Sequence, residues 1–205
     1  MSADRERFLA RVRQALGRDP RAPVPGPPPA PARSPALPAA ELAQRFALSL
    51  EATLGKAHPV AGPGEARDVL RALLAGAGGY ARTAHPVLDE LGLDDLAGEL
   101  DVPALPPSEA EWAVSGCEYA VAATGTVVLS AEFGRAVTLL PPKHLVVVRA
   151  GQVLPDLNDL YLELAARPLP GAWGMHSGPS RSADIEQTMA LGVHGPGVVH
   201  ALILP

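Results

Sequence analysis

Two glycine–proline turns near the end of the chain concentrate its polar chemistry, in the run GPSRSADIEQTMALGVHGP at positions 178–196. The spacing of the apolar residues between the turns predicts a short helix over 183–191. The start of a helix presents free backbone N–H groups and a partial positive charge, which together attract anions. The pattern therefore predicts that a small anion binds where the first turn leads into this helix.

The side chains at the two turns suit that ligand. The guanidinium of Arg181 is a planar, permanently charged fork for a carboxylate or phosphate, and two serine hydroxyls flank it. His194 lies in the second turn, where a loop imidazole is available for general acid–base catalysis. The predicted anion-binding residues of this region are Gly178, Ser180, Arg181, Ser182, Asp184 and Gly195.

A purely structural interpretation of the same residues stays open. One serine would cap the helix, Asp184 would complement its dipole, and His194 would sit as a charge near its C-terminal end. Together with His176 and His200, His194 matches no dependable metal-ligand spacing, so no metal site is predicted.

A second candidate region is Thr124-Gly125-Thr126, which interrupts a β-rich run predicted as one long strand over 118–130. A glycine inside a strand indicates a bulge or a close approach of another backbone segment. The two threonines would line the same ligand site, or would be hydroxyls satisfied locally at a kink. Thr124, Gly125 and Thr126 are therefore included among the predicted binding residues.

Composition limits the classes of function. The net charge of -5 argues against a broad nucleic-acid-binding face. The single cysteine, Cys117, excludes an internal disulfide and a cysteine-ligated iron–sulfur cluster held by this chain alone. The apolar runs are too short for a membrane span, and the charged start has no signal-peptide pattern, so a cytoplasmic location is expected.

The elements that must position these residues fall into three regions. Residues 1–18 read as a basic amphipathic helical arm, and residues 19–38 as a proline-rich linker, with nine prolines in 20–38. Residues 39–205 alternate predicted strands and helices, which predicts an α/β domain with a mostly parallel sheet. A capping-box pattern at 108–111 also predicts a short helix.

Three sequence blocks resemble the lactate-utilisation (LUD) domain family, including its lactate utilization protein C group. They are ATGTVVL at 123–129, LLPPKHLVVV at 139–148, and GPSRSADIE at 178–186 followed by GVHGP at 192–196. The resemblance covers roughly residues 39–205. Ala123 stands where the family pattern has an acidic residue, and Ser182 where threonine is usual.

The resemblance implies a Rossmann-like three-layer α/β/α sandwich related to the NagB/RpiA/CoA transferase-like fold. It also implies a role in oxidising L-lactate to pyruvate beside separate iron–sulfur partner proteins, which fits the single cysteine. On this interpretation the chain binds a small carboxylate or another anion and holds no redox cofactor by itself.

Two other functions remain open on the sequence alone. One is a stand-alone enzyme acting on an acyl, CoA or phosphorylated substrate, although Ala123 removes one candidate carboxylate. The other is a non-catalytic assembly factor that uses the tethered N-terminal arm to hold a partner. The sequence alone is therefore compatible with a catalytic and with a non-catalytic role.

Overall fold

The computed structural model describes residues 3–17, 26, 29, 32–168, 170–183, 189–192 and 194–205. The chain divides into two units, residues 1–31 and 32–205. In the first unit, helix α1 (Ala3–Ala15) exposes the apolar side chains of Phe8 and Val12. Among the described residues, no helix combines the length and apolar character that crossing a membrane requires.

The second unit alternates helices and strands, as predicted. Its helices are α2 (Ala39–Ala52), α3 (Pro63–Leu74), α4 (Pro86–Glu90), α5 (Leu93–Glu99) and α6 (Leu157–Ala165). Its strands up to residue 149 are β1 (Lys56–Pro59), β2 (Tyr80–Arg82), β3 (Trp112–Gly116), β4 (Tyr119–Val121), β5 (Thr126–Ser130) and β6 (Lys143–Arg149). The later strands are β7 (Val153–Leu154), β8 (Trp173–His176), β9 (Arg181–Ala183), β10 (Met189–Leu191) and β11 (Val198–Leu204).

The central sheet has five strands in the order β1-β11-β6-β3-β2, and every neighbouring pair is parallel. Its middle strand, β6, is buried along its interior. Leu145 and Val147 belong to the core on one face of the sheet, and Val146 and Val148 to the core on the other. Burial on both faces explains why this strand reads as a continuous apolar run.

The two faces of the sheet are covered differently. Helices α3, α4 and α5 pack on one face. Helix α2 and a second, four-stranded sheet in the order β7-β4-β5-β8 pack on the other. Helix α6 covers the far side of the second sheet. The predicted α/β class with a mostly parallel sheet is confirmed, and the second sheet is a layer that the sequence did not predict.

The N-terminal edge of the second unit is held against α6. Ser34 Oγ donates a hydrogen bond to Asp156 Oδ2 at 3.0 Å, and Arg33 pairs with Glu163 at 2.8 Å. Leu37 packs against the core under α2. The last residues of the proline-rich segment, 32–38, therefore contact the α/β domain.

The prediction of a helix over 183–191 is wrong for the residues of that range that the structure describes. Strand β9 pairs antiparallel with β10, and residues 184–188 lie outside the described residues. Beyond the paired strands, the N–H of Gly192 donates to the carbonyl of Ser180 at 2.9 Å. A helix this short is marginal in isolation, so pairing of the two ends overrides the local helical spacing.

Two further predictions need correction. The β-rich run over 118–130 forms two antiparallel strands, β4 and β5, joined by a turn that contains Thr124 and Gly125. The capping-box segment at 108–111 forms a turn rather than a helix. Both predictions relied on the local sequence pattern, whereas the conformation of these segments depends on their tertiary surroundings.

Candidate functional site

A polar cleft of about 370 Å³ brings the two glycine–proline turns together. Five predicted site residues line it: Gly178, Ser180, Arg181, His194 and Gly195. The other lining residues are Leu139, Met175, His176, Ser177, Pro179 and Pro196. Residues separated by up to eighteen positions in the run 178–196 thus face one space.

The cleft lies at the amino ends of two central strands. The N–H of Gly197, just before β11, donates to the carbonyl of Pro142, just before β6, at 2.9 Å. The N–H of Ser180 donates to the carbonyl of Pro196 at 2.8 Å, which joins the first turn to the second. This differs from the ligand position common in open α/β sheets, which lies beyond the carboxyl ends of the parallel strands. The first turn follows β8, a strand of the second sheet.

The predicted helix start is absent from residues 181–183, which changes how an anion would be held. The segment is strand β9, so it supplies no helix macrodipole. The N–H of Ser180 is also already bonded within the fold. The electrostatic attraction of this cleft for an anion therefore comes from side chains, chiefly the exposed guanidinium of Arg181.

Gly178 needs both its conformation and its small size. Its φ of +84° is in the region that favours glycine. A Cβ there would lie 2.5 Å from Thr53 Oγ1 and 2.8 Å from the carbonyl oxygen of Thr53, at the end of α2. The first turn is therefore seated against the C-terminal end of α2.

The Thr-Gly-Thr region lies behind the cleft and supports it. Thr126 Oγ1 is 2.6 Å from Thr124 Oγ1 and 2.6 Å from Ser177 Oγ. Ser177 lines the cleft, whereas neither threonine is among the described lining residues. A Cβ on Gly125 would lie 2.3 Å from the backbone nitrogen of Leu50 in α2, so the predicted close backbone approach is confirmed.

A row of three polar side chains, Ser115, His144 and His176, also reaches the cleft. Ser115 Oγ and His144 Nε2 are 2.8 Å apart, and both residues are fully buried. The His144 and His176 rings meet edge to face, with centroids 6.1 Å apart. Burial, with His176 as a lesser cause, lowers the pKa of His144 to about 3, and burial also lowers the pKa of His176. Both rings are therefore neutral at pH 7.

Sequence reasoning missed His176 as a site residue. It considered this histidine only as a metal ligand, although it ends the strand that leads directly into Gly178-Pro179. Ser177, the next residue, was not considered at all. Adjacency to the first turn was the available signal, and only the fold shows that these two residues share a wall.

The remaining predicted residues are only partly described. The backbone of Ser182 pairs with Ala190 in the β9–β10 hairpin. Asp184 lies outside the described residues. His194 is exposed and lines the cleft, which is compatible with the acid–base role predicted for it.

The histidines do not converge on one metal site. His200 lies apart from the cleft: its Nδ1 is 2.9 Å from His58 Nε2, and its ring meets that of Trp112 edge to face. Within the described ranges, no group of three or more His, Cys, Asp or Glu side chains is arranged to hold a metal ion.

Comparison with known proteins gives consistent results. The LUD domain family model matches residues 107–204. Lactate utilization protein C from Halalkalibacterium halodurans is 35% identical over 95 residues, which are 43% of this chain and 41% of that protein. Lactate utilization protein C from Deinococcus radiodurans is 33% identical over 122 residues, 56% of each chain. Uncharacterized protein YkgG from Escherichia coli is 36% identical over 127 residues, 53% of this chain and 55% of that protein.

A solved structure supports the fold. The crystal structure of a DUF162 family protein from Deinococcus radiodurans superposes with a TM-score of 0.58, at 22% sequence identity. It covers 83% of this chain and 100% of that one. The matches span about half or less of the curated relatives' length. The matched residues include the cleft and the hydrogen-bonded residues behind it, and the resemblance seen in the three sequence blocks is confirmed: residues 107–204 match the LUD domain family.

Proposed function

We propose that this chain serves in lactate utilisation as a subunit that binds a small anion in the polar cleft. The oxidation of L-lactate to pyruvate would be completed with separate iron–sulfur proteins. The observation that carries the proposal is the convergence of Ser180, Arg181 and His194 on one cleft. The names of the lactate utilization protein C relatives suggest the metabolic setting.

The chemistry of the cleft suits a small carboxylate. A guanidinium binds a carboxylate through two parallel hydrogen bonds, and such charge-assisted bonds are about twice as strong as neutral ones. Ser180 places a hydroxyl beside Arg181, and His194 places an imidazole at the opposite turn. The imidazole is available to exchange a proton with the hydroxyl or carbonyl group of a 2-hydroxy or 2-oxo acid.

Electron transfer is assigned to partners because of the chain's one cysteine. Iron–sulfur clusters are held by several cysteine thiolates, and thiolate formation needs an accessible, low-pKa thiol. Cys117 is 1% exposed, and burial raises the pKa of its thiol. A buried neutral thiol is a poor cluster ligand, which supports the division of labour between this chain and cysteine-rich partners.

Calorimetric titration with L-lactate and with pyruvate tests the proposal. We expect Arg181→Ala to weaken binding roughly 10- to 100-fold, from the ~1.5–3 kcal/mol typical of a hydrogen bond to a charged group. Arg181→Lys should recover only part of the loss, since lysine lacks the fork. Arg45→Ala is the matched control, because Arg45 is an exposed arginine paired with Glu41 on α2.

A redox assay on the same samples tests the subunit role. The chain alone should not reduce an added dye with L-lactate, and cysteine-rich partner proteins should restore the reaction. Lactate oxidation by the purified chain alone would overturn the borrowed-cofactor role. Unchanged binding in Arg181→Ala would overturn the cleft as the anion site.

A further inference from the structure

A smaller cavity of about 170 Å³ adjoins the polar cleft, and the two share His176 and Leu139 in their walls. The smaller cavity is also lined by Arg135, Ser130 and Thr138. Ser130 and Thr138 are both buried. The adjoining space therefore has a polar lining of its own rather than being an extension of the apolar core.

The two cavities carry one arginine each. Arg181 lines the cleft, Arg135 lines the smaller cavity, and no carboxylate side chain is found among the described residues that line either space. Arginine remains charged at every physiological pH and suits carboxylate and phosphate groups equally. The pair thus presents two separate positive charges to whatever occupies both cavities.

The loop that presents Arg135 is anchored by a buried hydroxyl. Thr138 Oγ1 donates to the carbonyl oxygen of Arg135 at 3.2 Å, and Ser130 Oγ accepts the N–H of Glu132 at 3.2 Å. These bonds hold both ends of a loop that runs along the cavity. Holding the backbone reduces the conformational freedom that a ligand must remove when it binds.

His176 separates the two arginines with a neutral surface. Its ring is backed by His144, which is bonded to Ser115. A neutral imidazole donates through one nitrogen and accepts through the other, so it suits an uncharged hydroxyl or carbonyl group. The order of chemistry along the two cavities is therefore cation, neutral hydrogen-bonding group, cation.

We propose that the cleft and the adjoining cavity form one two-part site for a small anion with two acidic groups. One acidic group binds Arg181, the other binds Arg135, and His176 contacts the uncharged middle of the ligand. The cleft volume of about 370 Å³ alone lies within the ~300–1,000 Å³ range of small-molecule pockets, so a three-carbon acid fills only part of it. The inference rests on the proposed function only in that the cleft binds an anion.

Calorimetric titration with three probes tests the two-part site: L-lactate, L-malate and 3-phosphoglycerate. L-malate or 3-phosphoglycerate should bind at least tenfold more tightly than L-lactate, and which of them does so shows whether the second acidic group is a carboxylate or a phosphate. Arg135→Ala should remove this advantage, and should weaken L-lactate binding far less than it weakens binding of the larger anion. Arg181→Ala should weaken all three.

Arg135→Lys, which keeps the charge, should retain part of the advantage, and Arg45→Ala should leave all three affinities unchanged. Urea unfolding of Arg135→Ala checks that the fold is intact. If L-lactate binds while neither larger anion binds more tightly, the two-part site is wrong and the proposed function stands. If the larger anions bind through both arginines and L-lactate does not bind, the two-part site stands and lactate is not the ligand.

Discussion

Gly125 is the position where a single methyl group should damage the support of the cleft most. Its φ of +62° lies in the left-handed region, where a non-glycine residue costs roughly 1–2 kcal/mol. A Cβ would also lie 2.3 Å from the nitrogen and 2.6 Å from the Cα of Leu50, both backbone atoms of α2. Backbone cannot rotate away as a side chain can, so α2 or the turn must move.

The cost of the left-handed conformation and the cost of the steric clash together predict the loss of stability. Inserting a methyl group into a well-packed region costs about 1–3 kcal/mol, so Gly125→Ala should lower the free energy of unfolding by roughly 2–5 kcal/mol in total. Urea unfolding followed by circular dichroism measures this change. The loss is large beside the ~5–15 kcal/mol that keeps a typical domain folded.

Two other glycines serve as controls that separate the cost of a positive φ from the cost of a steric clash. Gly76 has a φ of +74° but open space around its Cβ position, so Gly76→Ala should cost only the ~1–2 kcal/mol of the left-handed conformation. Gly98 lies inside α5 with open space and no positive φ, so Gly98→Ala should stabilise by up to about 1 kcal/mol. Equal losses in Gly125→Ala and Gly76→Ala would refute the close approach of α2 to the Thr-Gly-Thr turn.

Two further predictions concern capping and pH. Asp156→Ala should cost about 1 kcal/mol in urea unfolding and Asp156→Asn much less, because Asp156 caps α6 by accepting the N–H groups of residues 158 and 159; equal losses in both variants would contradict the cap. Burial lowers the pKa of His200 to about 4 in the folded protein. As pH drops from about 6.5 towards 4, this imidazole is protonated in the unfolded chain but stays neutral in the folded one, so the free energy of unfolding falls. His200→Gln should reduce the fall in urea midpoint between pH 7 and 5, and an unchanged fall would argue against a buried neutral His200.

The central sheet illustrates what local pattern predicts well. The apolar run of β6 and the alternation of strands with helices predict a buried parallel sheet, and the structure has one. The polar character of the two glycine–proline turns is also visible in the sequence, and five of the residues chosen there share one cleft. A strand buried on both faces and a polar turn are each encoded by a few neighbouring residues, so both can be recognised in the sequence.

The hairpin of β9 and β10 illustrates what local pattern misses. The apolar spacing over 183–191 favours a helix, yet Arg181 pairs with Leu191 and Ala183 with Met189. A segment this short gains too little from its own helical hydrogen bonds to decide its conformation. The surroundings, including the bond from the Ser180 N–H to Pro196, favour the paired form.

The sequence by itself determined the α/β class, the buried strands and the residue types available at the two turns, because periodicity and turn chemistry act over a few neighbouring positions. Only the tertiary structure decided that the cleft lies at the amino ends of β6 and β11, that Thr126 supports it through Ser177, and that His176 forms its wall. Those contacts join residues from separate strands and turns. Their positions depend on how two sheets and α2 pack together, which no local pattern records.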